Sequence, residues 1–150
     1  MMKDLLKAEN CRIVPGVTDW KEAVHVSLAP LVADGFCTDA YEQAVYDATE
    51  QYGPYYVLTD NMALIHATNK VGVNRTQMAV TVLKEPVQFS EDGPGVQILI
   101  ALAAVDANSH IDGMAAVMEL FGDDDKSDEI LNAPDGKAIY ELFLSCDTAE

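Results

Sequence analysis

The stretch Val96–Val105, VQILIALAAV, holds one polar residue, Gln97, and no alternation of apolar with polar positions. A strand with one wet face alternates with period two, so this run fits a central strand covered on both faces. It falls well short of the roughly 20 apolar residues a membrane-crossing helix requires. A doubly covered strand needs helices on each side of its sheet.

The chain supplies them before and after the sheet. Met2 to Asn10 is a short helix candidate, and Cys11 to Val14 a strand stopped by Pro15-Gly16. Asp19 with Glu22 reads as a helix start. Trp20, Val24, Leu28, Leu31 and Val32 then recur at helical spacing as far as Asp34-Gly35. A second helix follows Thr38, with Tyr41, Ala44, Val45, Ala48 and Tyr52 on one face, and Gly53-Pro54 ends it. Strands are expected over Tyr55 to Thr59, Asn61 to Ile65 and Thr76 to Leu83, with Lys84 to Phe89 a continuation broken by Pro86. Helices return at about Ser109 to Phe121, Ser127 to Asn132 and Pro134 to Leu144. The fold class is α/β: three α/β/α layers around a mixed central sheet, in one domain over residues 1–150.

Nine Lys plus Arg against 25 Asp plus Glu leave a net charge of −16. Such a chain lacks the basic groups that neutralise nucleic-acid phosphates and is repelled by an anionic membrane surface. Nothing near the start reads as a signal peptide. Cys11, Cys37 and Cys146 are odd in number and widely spaced, which fits reduced buried thiols in the cytoplasm better than disulfides or zinc ligation. Asp123-Asp124-Asp125 lacks the spacing of a calcium loop, and no phosphate loop or nucleophile elbow occurs.

Histidines hold the chemistry. His66 ends the segment Met62-Ala63-Leu64-Ile65-His66-Ala67. By residue type alone, a single histidine at a strand end is more often structural than functional. His110 follows the long apolar run through Ser109, and Ser109 with Asp112 forms a helix start that places His110 in the first turn. There a neutral imidazole can donate to a phosphate oxygen beside the helix N–H groups. An exposed first-turn residue is the alternative. His25 reads as surface. Met114 and Met118, with Ile111 and Phe121, read as core.

Taken in order, Asp19-Trp20-Lys21-Glu22-Ala23, Tyr52-Gly53-Pro54-Tyr55-Tyr56-Val57, the segment ending at His66, Gly72-Val73, Leu83-Lys84-Glu85-Pro86-Val87, and Ala103-Ala104-Val105-Asp106 with Ser109-His110-Ile111 resemble the mannitol/fructose-type enzyme IIA domains of the bacterial sugar phosphotransferase system. The likeness is closest to the ascorbate-type branch. The resemblance implies the mannitol-type IIA fold and phosphoryl carriage. The phosphocarrier HPr would donate a phosphoryl group to His66, His110 would be the second active-site histidine, and a IIB domain would accept the group before a IIC transporter completes the relay. It implies neither metal nor nucleotide; two imidazoles without a third ligand make a weak metal site. Association of copies with one another is left open, and the absence of a linker fits a stand-alone IIA-like unit.

Three positions depart from the family pattern. Ile65 stands where proline usually precedes the phosphorylated histidine. Thr68 holds the place of a following arginine. Ala48, followed by Thr49, occupies the place of an arginine before Tyr-Gly-Pro. Two readings therefore stand side by side: a working phosphocarrier on His66, or a phosphorylation-impaired IIA-like regulatory or binding module.

Overall fold

The computed structural model describes residues 6–59, 61–67, 72–91, 93–105 and 124–144, together with residues 111, 114, 115, 117 and 118. After a single 3-10 turn at Ala8–Asn10 come β1 (Cys11–Val14), α1 (Trp20–Ala33), α2 (Asp39–Tyr52), β2 (Val57–Thr59), β3 (Met62–Ile65), β4 (Gln77–Gln88), β5 (Gly95–Ala103), α3 (Asp124–Leu131) and α4 (Gly136–Leu144). The described part of 111–118 is helical. The strands form one mixed sheet in the order β1-β4-β5-β3-β2. β5 runs antiparallel to β4 and parallel to β3, which places the apolar run at the centre as its composition demands.

The strands β3, β4 and β5 divide their residues between two cores. Ala63, Ile65, Ala79, Leu83, Leu99 and Ala101 pack with Val24, Leu28 and Leu31 of α1 and with Tyr41 and Val45 of α2. Met62, Leu64, Met78, Val80, Ile98 and Ile100 pack on the opposite face with Val117, Ile130, Ile139 and Phe143. That is the expected three-layer α/β/α arrangement. Full burial of each large aliphatic side chain stabilises by about 1.5–3 kcal/mol, so β5, apolar toward both cores, anchors both layers.

Local chemistry sets the helix limits. The Asp19 carboxylate accepts from Glu22 N–H at 2.9 Å, and Glu22 reaches back to Thr18 N–H at 3.1 Å. Pro30 lies inside α1 and has no N–H to give the Val26 carbonyl four residues back. That carbonyl instead accepts from the Arg12 guanidinium of β1, which also donates to Thr81 Oγ1 at 3.3 Å. The proline thus supplies an acceptor for the partly buried Arg12, whose pKa burial lowers.

Four expectations need correction. Of the expected Met2 to Asn10 helix, residues 2–5 lie outside the described residues, and Leu6 to Asn10 hold only the 3-10 turn at Ala8–Asn10. Pro86 does not break β4: the ladder with β5 shifts register between Val82 and Val87, and the strand carries the proline in that irregularity. Gln97 serves the same spot, donating to the Leu83 and Lys84 carbonyls at 3.0 and 3.2 Å. The inward stripe of α2 runs Tyr41, Val45, Thr49, while Tyr52, its last residue, is 69% exposed. Within 111–118 the inward positions are Met114 and Val117, and Ile111 and Met118, seven residues apart, share an outward stripe.

α4 begins pressed against β1. A Cβ built on Gly136 would lie 1.9 Å from the Cys11 carbonyl oxygen, a backbone atom that cannot swing aside. Gly136→Ala is therefore expected to cost about 3 kcal/mol and lower Tm by about 10 °C. Thermal denaturation checks this, and an unchanged Tm would show that α4 can shift freely on β1.

Candidate functional site

His66 is the first residue after β3, at the end of the sheet where β5 also finishes and β4 begins. Open α/β sheets place ligand sites outside the carboxyl ends of their strands, where loops gather. The residue is buried, with only 5% of its surface exposed.

Contacts to Leu64 and Tyr55 help fix its ring. Nδ1 lies 2.5 Å from the backbone carbonyl oxygen of Leu64. A carbonyl only accepts, so Nδ1 carries the proton and Nε2 carries the lone pair in the neutral ring. Tyr55 presents its ring edge-on to the imidazole, with centroids 5.3 Å apart and planes at 89°. The backbone is held as well. The Tyr55 hydroxyl donates to the His66 carbonyl at 2.5 Å, and the Tyr41 hydroxyl accepts from Ala67 N–H at 3.1 Å while donating to the Leu102 carbonyl at 2.7 Å. Burial raises the pKa of both phenols, which keeps them neutral donors at physiological pH.

The turn that delivers Tyr55 requires glycine. Gly53 closes α2 with φ of +82°, and its carbonyl accepts from Tyr55 N–H at 2.8 Å. Behind Tyr55 stands Tyr56, at 5.1 Å between ring centroids, and then Phe89 at 5.5 Å. Thr49 Oγ1 lies 2.8 Å from the Tyr56 hydroxyl, whose pKa burial pushes up to about 12. Thr49 is thus committed to the core, and Ala48 beside it is half-buried with no polar group to offer.

Arg12 is bound to Val26 and Thr81, and Arg75 stacks over Phe36 at 4.4 Å. His25 is exposed and meets the Glu42 carboxylate at 3.1 Å, as expected of a surface histidine. Cys11 and Cys37 are buried free thiols whose pKa values burial pushes up to about 12 and about 11, which makes them poor nucleophiles. His110, Thr68 and Cys146 lie outside the described residues. The segment leading to His110 leaves from the same end of the sheet: Ala103 ends β5, and Val105 N–H donates to Thr76 Oγ1 at 3.1 Å. No group of three or more His, Cys, Asp or Glu residues able to hold a metal ion occurs among the described residues, and none of their helices is long and apolar enough to cross a membrane.

The Tyr41 and Tyr55 hydroxyls are the part of the site that residue patterns alone miss. Tyr41 reads as an apolar-face residue by spacing, and its polar tip is revealed only by what lies opposite.

Residues 4–146 match the family described as phosphoenolpyruvate-dependent sugar phosphotransferase system, EIIA 2. The ascorbate-specific EIIA component of Shigella boydii is 38% identical over 141 residues, covering 93% of this chain and 92% of that protein. The solution structure of the mannitol-specific cryptic phosphotransferase enzyme IIA of Escherichia coli superposes with a TM-score of 0.87 at 30% identity, over 95% of this chain and 97% of that one. A complex of the Escherichia coli mannitol enzyme IIA with phosphorylated mannitol enzyme IIB gives a TM-score of 0.79 at 25% identity, over 94% and 99% of the two chains.

Proposed function

The chain belongs to the EIIA 2 family of the phosphoenolpyruvate-dependent sugar phosphotransferase system and is a phosphotransferase component of that system, and we propose that His66 Nε2 is the atom that carries its phosphoryl group. The observation that carries this reading is the Nδ1 contact to the Leu64 carbonyl. It leaves the lone pair on Nε2 and supplies an acceptor for the N–H that becomes more acidic as the ring turns cationic.

The step is a transfer between two imidazoles. The Nε2 lone pair forms the new N–P bond as the N–P bond of the donor, phosphohistidine on HPr, breaks and its electron pair returns to the donor ring. Positive charge developing on the His66 ring is shared through Nδ1–H with the Leu64 carbonyl dipole. A neutral imidazole needs no strong base to act near pH 7, and the rest of the work is positioning and charge stabilisation. His110 would stabilise the phosphoryl oxygens by donating an N–H to them. A IIB domain then takes the group in the reverse sense, in line with the IIA–IIB complex formed by the mannitol relative. The setting is the cytoplasm.

The Nδ1 contact to Leu64 supports Nε2 as the acceptor nitrogen. Phosphorylated protein examined by nitrogen-15 NMR should carry phosphorus on Nε2, with Nδ1 still protonated. Phosphorus on Nδ1 would overturn the role given to Leu64. On mixing with IIB, the label should pass across; retention beside a competent IIB would remove the transfer half of the proposal.

One observation favours the regulatory reading as the rival. Thr49 faces Tyr56, Ala48 is apolar, and Arg12 and Arg75 are engaged with other groups. A site with fewer guanidiniums accepts phosphate more slowly.

A further inference from the structure

We propose that Tyr55, assisted by Tyr41, is a positioning residue for phosphoryl transfer, clamping the peptide group between His66 and Ala67 so that the imidazole keeps Nδ1 on Leu64 and Nε2 toward the donor. The inference rests on the reading of His66 as the acceptor and adds the groups that aim it.

Both polar atoms of one peptide unit are involved. Its carbonyl accepts from Tyr55, which enters from the turn after α2, and its N–H donates to Tyr41, which stands on α2 itself. Tyr41 passes the restraint on to β5 through the Leu102 carbonyl. His66 lies beyond the last paired residue of β3, Ile65 opposite Ala101. There the two hydroxyls hold the peptide. Fixing the peptide plane fixes the Cα–Cβ direction of His66, and with it the arc its ring can sweep. Tyr55 restrains the ring too, because its own ring stands perpendicular to the imidazole at 5.3 Å. One side chain thus holds the backbone and the ring of the same residue. Misplacing a reacting atom by about 1 Å costs as much as a hundredfold in rate, so such a brace has a kinetic consequence.

Tyr55 is half-buried and its replacements can fold, whereas Tyr41→Phe strips two buried hydrogen bonds and lowers stability as well. The Tyr55 series therefore carries the test. Tyr55→Phe keeps the ring and loses the hydroxyl; Tyr55→Leu loses both. Two quantities are read: the rate of His66 phosphorylation by enzyme I, HPr and phosphoenolpyruvate, and the nitrogen-15 shifts of the unphosphorylated imidazole, which report its tautomer. Tyr55→Phe is expected to slow phosphorylation about tenfold, and Tyr55→Leu about a hundredfold with part of the ring moved to the Nε2–H tautomer. Wild-type rates and wild-type shifts in both variants would overturn the clamp. A slower rate with unchanged nitrogen-15 shifts in Tyr55→Leu would also overturn it, because the ring would then be unmoved. If the parent protein takes no label on His66, the acceptor reading fails separately, and the nitrogen-15 shifts still decide whether Tyr55 holds the ring.

Discussion

His66→Ala is expected to take up no acid-labile phosphate, while keeping the fold and thermal stability of the parent to within about 2 kcal/mol. The loss is total because the substitution removes the only atom to which the phosphoryl group is proposed to bond. The modest stability change follows from the place of the residue, beyond the end of β3, with its ring bonded to a backbone carbonyl. His110→Ala is expected to behave differently. It removes a group proposed to stabilise charge in transit, so some acceptance on His66 is expected to remain and onward transfer to IIB to be impaired. Acid-stability mapping of labelled peptides separates the two variants. Full labelling of His66→Ala would remove His66 from the mechanism.

Restoring arginine at two positions should give the next largest change. The resemblance to the family implies guanidiniums at the places of Ala48 and Thr68, and guanidiniums grip a phosphoryl group through paired N–H donors. Ala48 sits on the half-exposed side of α2, one turn before Gly53 and the Tyr55 that touches His66, so a long side chain there has open space toward solvent. Thr49 could not be exchanged as freely, because its hydroxyl already bonds the Tyr56 phenol and the Val45 carbonyl. One contact to developing charge stabilises a transition state by about 2–4 kcal/mol, equivalent to roughly 30-fold or more in rate. Ala48→Arg/Thr68→Arg is therefore expected to accept phosphate at least about a hundredfold faster, measured as initial labelling rates at fixed HPr. Unchanged rates would mean that the site draws positive charge from elsewhere, and the regulatory reading would lose its main support.

The layers and the sheet were legible because they depend on burial, which leaves a period in the sequence. Val96–Val105 gave the central strand, and Asp19 with Glu22 gave the start of α1. Legibility failed where a polar atom decides the outcome. Thr49 turns inward because Tyr56 offers it a partner, and no hydropathy pattern records that bond. Pro86 reads as a break because proline cannot donate to a ladder, yet a register shift removes the need for the donor. Outward Ile111 and Met118 were misread for the opposite reason, since apolar residues at the surface are permitted and leave no signal. At the proposed site, the segment ending at His66 makes that residue a candidate. The Tyr41 and Tyr55 hydroxyls that hold its peptide come from 25 and 11 positions earlier in the chain, and only the fold brings them there.

The central claim is that His66 carries a phosphoryl group. Mass spectrometry after incubation with phosphoenolpyruvate, enzyme I and HPr tests it most directly. One phosphoryl group, lost in acid and mapped to His66, is the predicted result. No label on the folded protein, in a reaction that labels a control IIA domain, would contradict it.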